Sequence, residues 1–124
     1  MTTWTNDELN KIEKSEELQI SSLRKDGSLR KPVTVWVVRV DNDVYVRSTN
    51  GSTASWFRGV QDRYEGHVRV GGIDKDVTFT EETDSNINNQ IDEAYKTKYR
   101  HYASIASHMT ESGPRATTIK LAPR

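Results

Sequence analysis

Eight residues, Val33 to Val40 (VTVWVVRV), limit what this chain can fold into more than any others. Five of the eight are valine and one is tryptophan, side chains that fit a pleated, packed surface. Pro32 stands just before them. It has no N–H to give a sheet ladder, so the strand starts there. Valines fall on both alternating faces, so the periodicity leaves open which face meets the core. Asp41-Asn42-Asp43 then reads as a hairpin turn and Val44 to Thr49 as the returning partner. In that partner Val44, Val46 and Ser48 share one face; Tyr45, Arg47 and Thr49 share the other.

The other elements arrange themselves around this hairpin. Thr5 and Glu8 form a capping box that opens a helix fading near Glu17, with Trp4 and Leu9 placed for a hydrophobic staple. Leu18 to Arg24 reads as a strand, and Lys25-Asp26-Gly27-Ser28 as a turn. Ala54 to Gln61 reads as a helical turn weakened by Gly59. Gly66–Val70 and Ile73–Thr80 form a second hairpin around Gly71-Gly72. Ser85 to His108 carries apolar residues at helical spacing, ended by Gly113-Pro114, and Ala116–Leu121 is a last strand. The pattern predicts an α+β, mainly β fold: a six-stranded antiparallel barrel with flanking helices. The expected core is Ile20, Val35, Val37, Val44, Val46, Val68, Val70, Val77, Phe79, Ile91, Ile119 and Leu121.

At 124 residues, 1–124 is expected to be one domain. Only 33% of residues are hydrophobic and the mean hydropathy is −0.82, so that core is thin. With no cysteine, thiolate nucleophiles, disulfides and cysteine-ligated metals are excluded. No G-x-S-x-G elbow, Gly-rich phosphate loop or dinucleotide fingerprint occurs. His67, His101 and His108 are expected to be solvated or singly hydrogen-bonded, the last two sharing a helix face, and no metal site is expected. The net charge of +0 argues against nucleic acid as a partner. No apolar run spans a membrane and Met1–Asn10 lacks a leader pattern, so the expected location is the cytoplasm.

The zero net charge conceals blocks. Residues 24–70 sum to +4, while 1–23 sum to −3 and 71–99 to −4. Arg24, Lys25, Arg30 and Lys31 put four cations within eight residues, on a glycine-containing turn. Such a turn can wrap a phosphate with backbone N–H groups and guanidinium forks. A solvated hairpin tip has the same composition. Ser48-Thr49-Asn50-Gly51 and Ser55-Trp56-Phe57-Arg58 supply hydroxyls, an open turn and two aromatics, which suit a flat ring. At least one of Trp56 and Phe57 is expected in the core.

Arg30-Lys31-Pro32-Val33, Ser48-Thr49-Asn50-Gly51 and Trp56-Phe57-Arg58 together resemble the split-barrel flavin- and deazaflavin-binding (pyridoxamine phosphate oxidase-like) proteins. The segments 91–99 and 115–121 look like a small uncharacterised bacterial family of that superfamily. The resemblance covers nearly the whole chain and implies a split barrel. It implies FMN or a deazaflavin coenzyme, with Arg24, Lys25, Arg30 and Lys31 toward its phosphate. Pro32 and Val33 would give backbone contact, and Ser48, Thr49 and Trp56 would lie near the ring. By the same analogy the chain would be a homodimer and an oxidoreductase, with nitroreductase-like chemistry among the options. Gly59 stands where those relatives carry asparagine, and residues 61–65 lack their proline. The alternative is a non-catalytic small-ligand or partner-binding module that has lost the cofactor. No residue is singled out as catalytic.

Overall fold

The computed structural model describes residues 3–124. Its elements are α1 (Asn6–Lys14), β1 (Glu17–Ser22), β2 (Val33–Val40), β3 (Asp43–Val46), α2 (Ser55–Arg63), β4 (Glu65–Val70), β5 (Ile73–Glu81), α3 (Ser85–Lys98), α4 (Ala103–Met109), α5 (Ser112–Arg115) and β6 (Ile119–Pro123). The six strands close into an antiparallel barrel in the order β1-β2-β3-β6-β5-β4, and β4 pairs back onto β1. No helix among the described residues is long and apolar enough to cross a membrane.

The open question about β2 has a two-sided answer. Val35 and Val37 join the barrel core with Val44, Val46, Val68, Val77 and Leu121. Val38 faces the opposite way and joins Tyr45, Ile91, Tyr95, Tyr99 and Met109 in a second cluster beneath α3 and α4. Both faces of β2 are therefore packed, which is why no polar alternation marks it. All twelve expected core residues are buried, Ile91 in the second cluster and the rest in the first.

The capping box folds as read, while α1 ends at Lys14, short of the expected Glu17. Thr5 accepts from the Glu8 backbone N–H, and Glu8 accepts from that of Thr5. Trp4 is buried and donates its indole N–H to the Leu121 carbonyl at 2.9 Å, tying the chain start to β6.

The long C-terminal helix is a correction. The expected Ser85–His108 helix breaks after Lys98 and resumes at Ala103, and Gly113-Pro114 lies inside the short α5 instead of ending a long helix. The cause is tertiary: Tyr99 is fully buried, with its hydroxyl on the β2 backbone. Tyr102 leaves helical geometry and is exposed, so α4 can turn Ala106 and Met109 onto the second cluster. Apolar spacing runs through the break and conceals it.

Strand β3 also stops early, at Val46. Ser48 gives its backbone N–H to the Thr117 side chain at 2.8 Å, so a hydroxyl replaces the ladder there. Where β1 begins at Glu17, opposite Trp36, the adjoining backbone of β2 loses its strand partner. Side chains take over. Tyr99 Oη accepts from the Val37 N–H at 3.1 Å, and Lys98 donates to the Val37 carbonyl at 2.7 Å.

Gly59 lies within α2 for a steric reason. A Cβ there would stand 2.7 Å from Ser22 Oγ and 3.1 Å from the Arg30 side chain. The helix packs directly on β1, and Arg30 runs through the space a side chain would fill.

Candidate functional site

The segment between β1 and β2 is a tight, self-bonded loop. Leu23 bridges Leu29, and Arg24 accepts the Gly27 N–H while donating its own to Ser28. Hydrogen bonds from Ser28 hold the Asp26 carboxyl below the usual carboxylate range. The Arg24 guanidinium donates to Ser28 Oγ at 3.2 Å and to the Leu29 carbonyl at 3.1 Å.

A cleft of about 270 Å³ opens between this loop, the start of β2 and the start of α2. It brings together Arg24, Arg30, Lys31, Val33 and Trp56, five of the residues expected at a site. Ile20, Ser22 and Ser55 also line it. Ser55 belongs to the Ser55–Arg58 stretch read as suited to a ring, whereas Ile20 and Ser22, which share the inward face of β1, were not anticipated. The cleft is lined by both cationic and apolar side chains. Phe57 is buried in the core and meets Trp56 edge-on at 6.1 Å, which leaves Trp56 half-buried at the rim.

The four cations differ in availability. Arg30 is committed: it donates to Asp62 at 2.5 Å, to the Leu23 carbonyl at 3.1 Å and to the Gly59 carbonyl at 3.4 Å. Lys25 lies exposed at the loop tip, away from the cleft. Lys31 is exposed and has no carboxylate partner among the described residues. The first turn of α2 adds a further positive element. Ala54 is its N-cap and offers no side-chain oxygen, so the leading N–H groups stay uncapped beside Ser55 and Trp56.

The remaining expected residues lie elsewhere. Pro32 faces a separate hollow of about 190 Å³ beside His67 and Arg69. Thr49 lines a polar cleft of about 840 Å³ with His108 and Glu111. Ser48 is fully buried, and its Oγ has no hydrogen-bond partner among the described residues.

The histidines need correction. His67 is bonded at both ring nitrogens, Nδ1 to Asp76 at 2.8 Å and Nε2 to Asp74. His108 is bonded to Glu111 at 2.7 Å and to the Thr49 carbonyl at 2.6 Å. The helix break separates His101 from His108. The register explains His67: it pairs directly with Asp76, and Asp74 lies two residues along on the same face of β5. Burial alone would lower the His67 pKa, but bonds to Asp76 and Asp74 outweigh it and raise it. A raised folded pKa means stabilisation that is full below pH about 6.5 and lost as pH rises through the folded value. His67→Gln is therefore expected to lose stability at pH 5.5 and progressively less by pH 8.5. A urea-midpoint difference from wild type that stays flat across that range would contradict this.

Known proteins share this architecture. An F420-H2 dependent reductase superposes with a TM-score of 0.61 at 15% identity, covering 86% of this chain and 93% of its own. A pyridoxamine 5'-phosphate oxidase-type protein from Listeria innocua gives 0.61 at 11% identity, covering 94% and 88%. HutZ, a heme storage protein from Vibrio cholerae, gives 0.62 at 11% identity, covering 96% and 89%. At these identities the likeness is one of fold, the split barrel. No curated protein matches the sequence. Residues 8–121 match the family model described as an uncharacterized protein conserved in bacteria, DUF2255, and the chain belongs to that family.

Proposed function

We propose that this chain acts as one split-barrel domain that binds the phosphate of FMN or a deazaflavin in the cleft between the β1–β2 loop and α2, as a cytoplasmic oxidoreductase. The observation that carries the reading is the mixed lining of the cleft. Arg24, Lys31 and Val33 line it together with the uncapped first turn of α2, to which Trp56 belongs. That donor set fits a phosphate: guanidinium and ammonium charges meet a helix start whose dipole favours an anion. Trp56 offers a flat face to a planar ring, and Ile20 and Val33 keep water from it. When bound, the ring would supply the hydride or electron transfer.

The cleft is smaller than the ~300–1,000 Å³ usual for small-molecule pockets. Val33, which lines it, is 37% exposed, and Leu29, on the separate hollow beside Pro32, is 47% exposed. A second copy of the chain docked there would cover both and complete the enclosure, which supports a homodimer.

The test uses Lys31, whose charge is free. Arg30 is a poorer probe because Arg30→Ala would also release Asp62 and the Gly59 carbonyl. Lys31→Glu is expected to weaken FMN or F420 binding about tenfold or more, since one charge-assisted contact contributes ~1.5–3 kcal/mol. Lys11→Ala, on α1, should leave it unchanged. Fluorescence titration of both cofactors reads the outcome, followed by turnover of quinone and nitro acceptors with the reduced cofactors. Saturable binding without turnover would leave a non-catalytic binding module. No binding of either cofactor overturns the reading.

A further inference from the structure

A second groove, on the outer face of the barrel, is built around an amine with a spare donor. It has a volume of about 640 Å³ and runs between α1 and α3 over the end of β2. Val38, Val40 and Ala94 give it an apolar side. Lys98 stands in its wall, half-buried. Its ammonium donates to the Val37 carbonyl at 2.7 Å and to the Ile12 carbonyl at 3.2 Å.

An ammonium has three donors, and two are used. Among the described residues no carboxylate pairs with Lys98. Glu13, the nearest acidic residue on α1, is bonded to Arg39 at 3.5 Å. Glu13 and Glu16 act on Lys98 only through space, so no direct ion pair offsets its burial.

We propose that this groove binds a small monocarboxylate with an apolar body, its carboxylate on the free Lys98 donor and its body along Val38, Val40 and Ala94. One free donor matches one negative charge. Glu13 and Glu93 at the groove's edge disfavour a dianion such as a phosphate monoester. The volume falls within the range of small-molecule pockets. The site is separate from the cleft at Lys31, which lies at the opposite end of β2.

Burial lowers the Lys98 pKa to about 8, while Glu13 and Glu16 pull it upward. The other charged groups around the groove are Arg39 on β2, Glu93 on α3, and Arg100 and His101 after it. Tyr99 lies alongside, its ring 5.5 Å from the amine. A bound carboxylate would stabilise the protonated amine, so affinity should fall as pH rises through 8.

The experiment compares 4-phenylbutanoate with the neutral 4-phenylbutan-1-ol by calorimetric titration. Wild type should bind the carboxylate about tenfold tighter than the alcohol at pH 7, and the preference should shrink by pH 9.5. Lys98→Met should bind both equally. If that variant fails to fold, Thr97→Trp provides an independent check. Thr97 is an exposed groove residue, and an indole there should abolish binding while the fold persists. Equal binding of the two probes by wild type would overturn the proposal. So would unchanged carboxylate affinity in Lys98→Met or Thr97→Trp, or no carboxylate binding up to millimolar concentration.

Discussion

Arg47→Ala is expected to destabilise the protein by about 3–5 kcal/mol, the range seen when one partner of a buried ion pair is removed. The Arg47 side chain is fully buried. All five of its N–H donors are used. Nε reaches Thr118 Oγ1 at 2.9 Å; one terminal nitrogen reaches Asp92 at 2.5 Å and the Met109 carbonyl at 3.0 Å; the other reaches Asn88 Oδ1 at 2.9 Å and its carbonyl at 3.2 Å. The guanidinium also lies 5.5 Å from the Tyr95 ring centroid. One side chain on the β3 exit thus holds α3, α4 and the approach to β6. Truncation strands a carboxylate, two carbonyls, an amide and a hydroxyl together. Asp92 would keep Arg115, at 2.5 Å, so the charge is not wholly orphaned. Arg47→Lys should recover only part of the loss, because three donors cannot serve five acceptors. Urea denaturation reads the effect. The Arg47→Ala/Asp92→Asn double variant should lose less than the two single losses combined, because the residues share one network. A loss below about 1 kcal/mol for Arg47→Ala would show that the network is relaxed and wet.

Gly66→Ala is the second large effect. Gly66 sits in β4, paired with Ser22 on one side and Val77 on the other. A Cβ there would stand 2.2 Å from the Ser21 carbonyl oxygen and 2.8 Å from the Phe79 ring. Phe79 is nearly fully buried, so its ring has little room to retreat, and the carbonyl belongs to a paired strand. Overpacking typically costs ~1–3 kcal/mol. Since backbone must move here, about 3 kcal/mol is expected. Phe79→Leu would relieve the ring contact and leave the carbonyl contact, so the double variant should remain destabilised. A thermal midpoint for Gly66→Ala equal to wild type would refute the geometry.

The sequence spelled out the barrel more fully than the site. Pleat alternation in β3, β4 and β5, the two hairpin turns and the Thr5–Glu8 box depend on neighbours in the chain, and local chemistry decides them. Even the ambiguity of β2 carried information, because a strand without a polar face is packed on both. The break after Lys98 was hidden because helical spacing of apolar residues continues through Tyr102 and Ile105 while Tyr99 is anchored from β2. The cation cluster was visible as composition, but its division was not. Arg30 is held by Asp62, thirty-two positions away, and Lys31 next to it has no carboxylate partner among the described residues. Charge along a chain does not say which cations are already matched. Arg47 and Lys98 were unreadable for the same reason, since their partners lie far off in sequence.

The closed ring of strands has a consequence for how copies of this protein can meet. An open sheet exposes a row of backbone donors and acceptors that any extended segment can extend, the usual route to fibrils and to capture by strand addition. Here β4 returns to β1, and beyond the start of β1 the side chains of Tyr99 and Lys98 occupy the neighbouring β2 backbone. Assembly by strand addition is thereby disfavoured. Exchange of a whole strand between copies would have to undo two ladders at once.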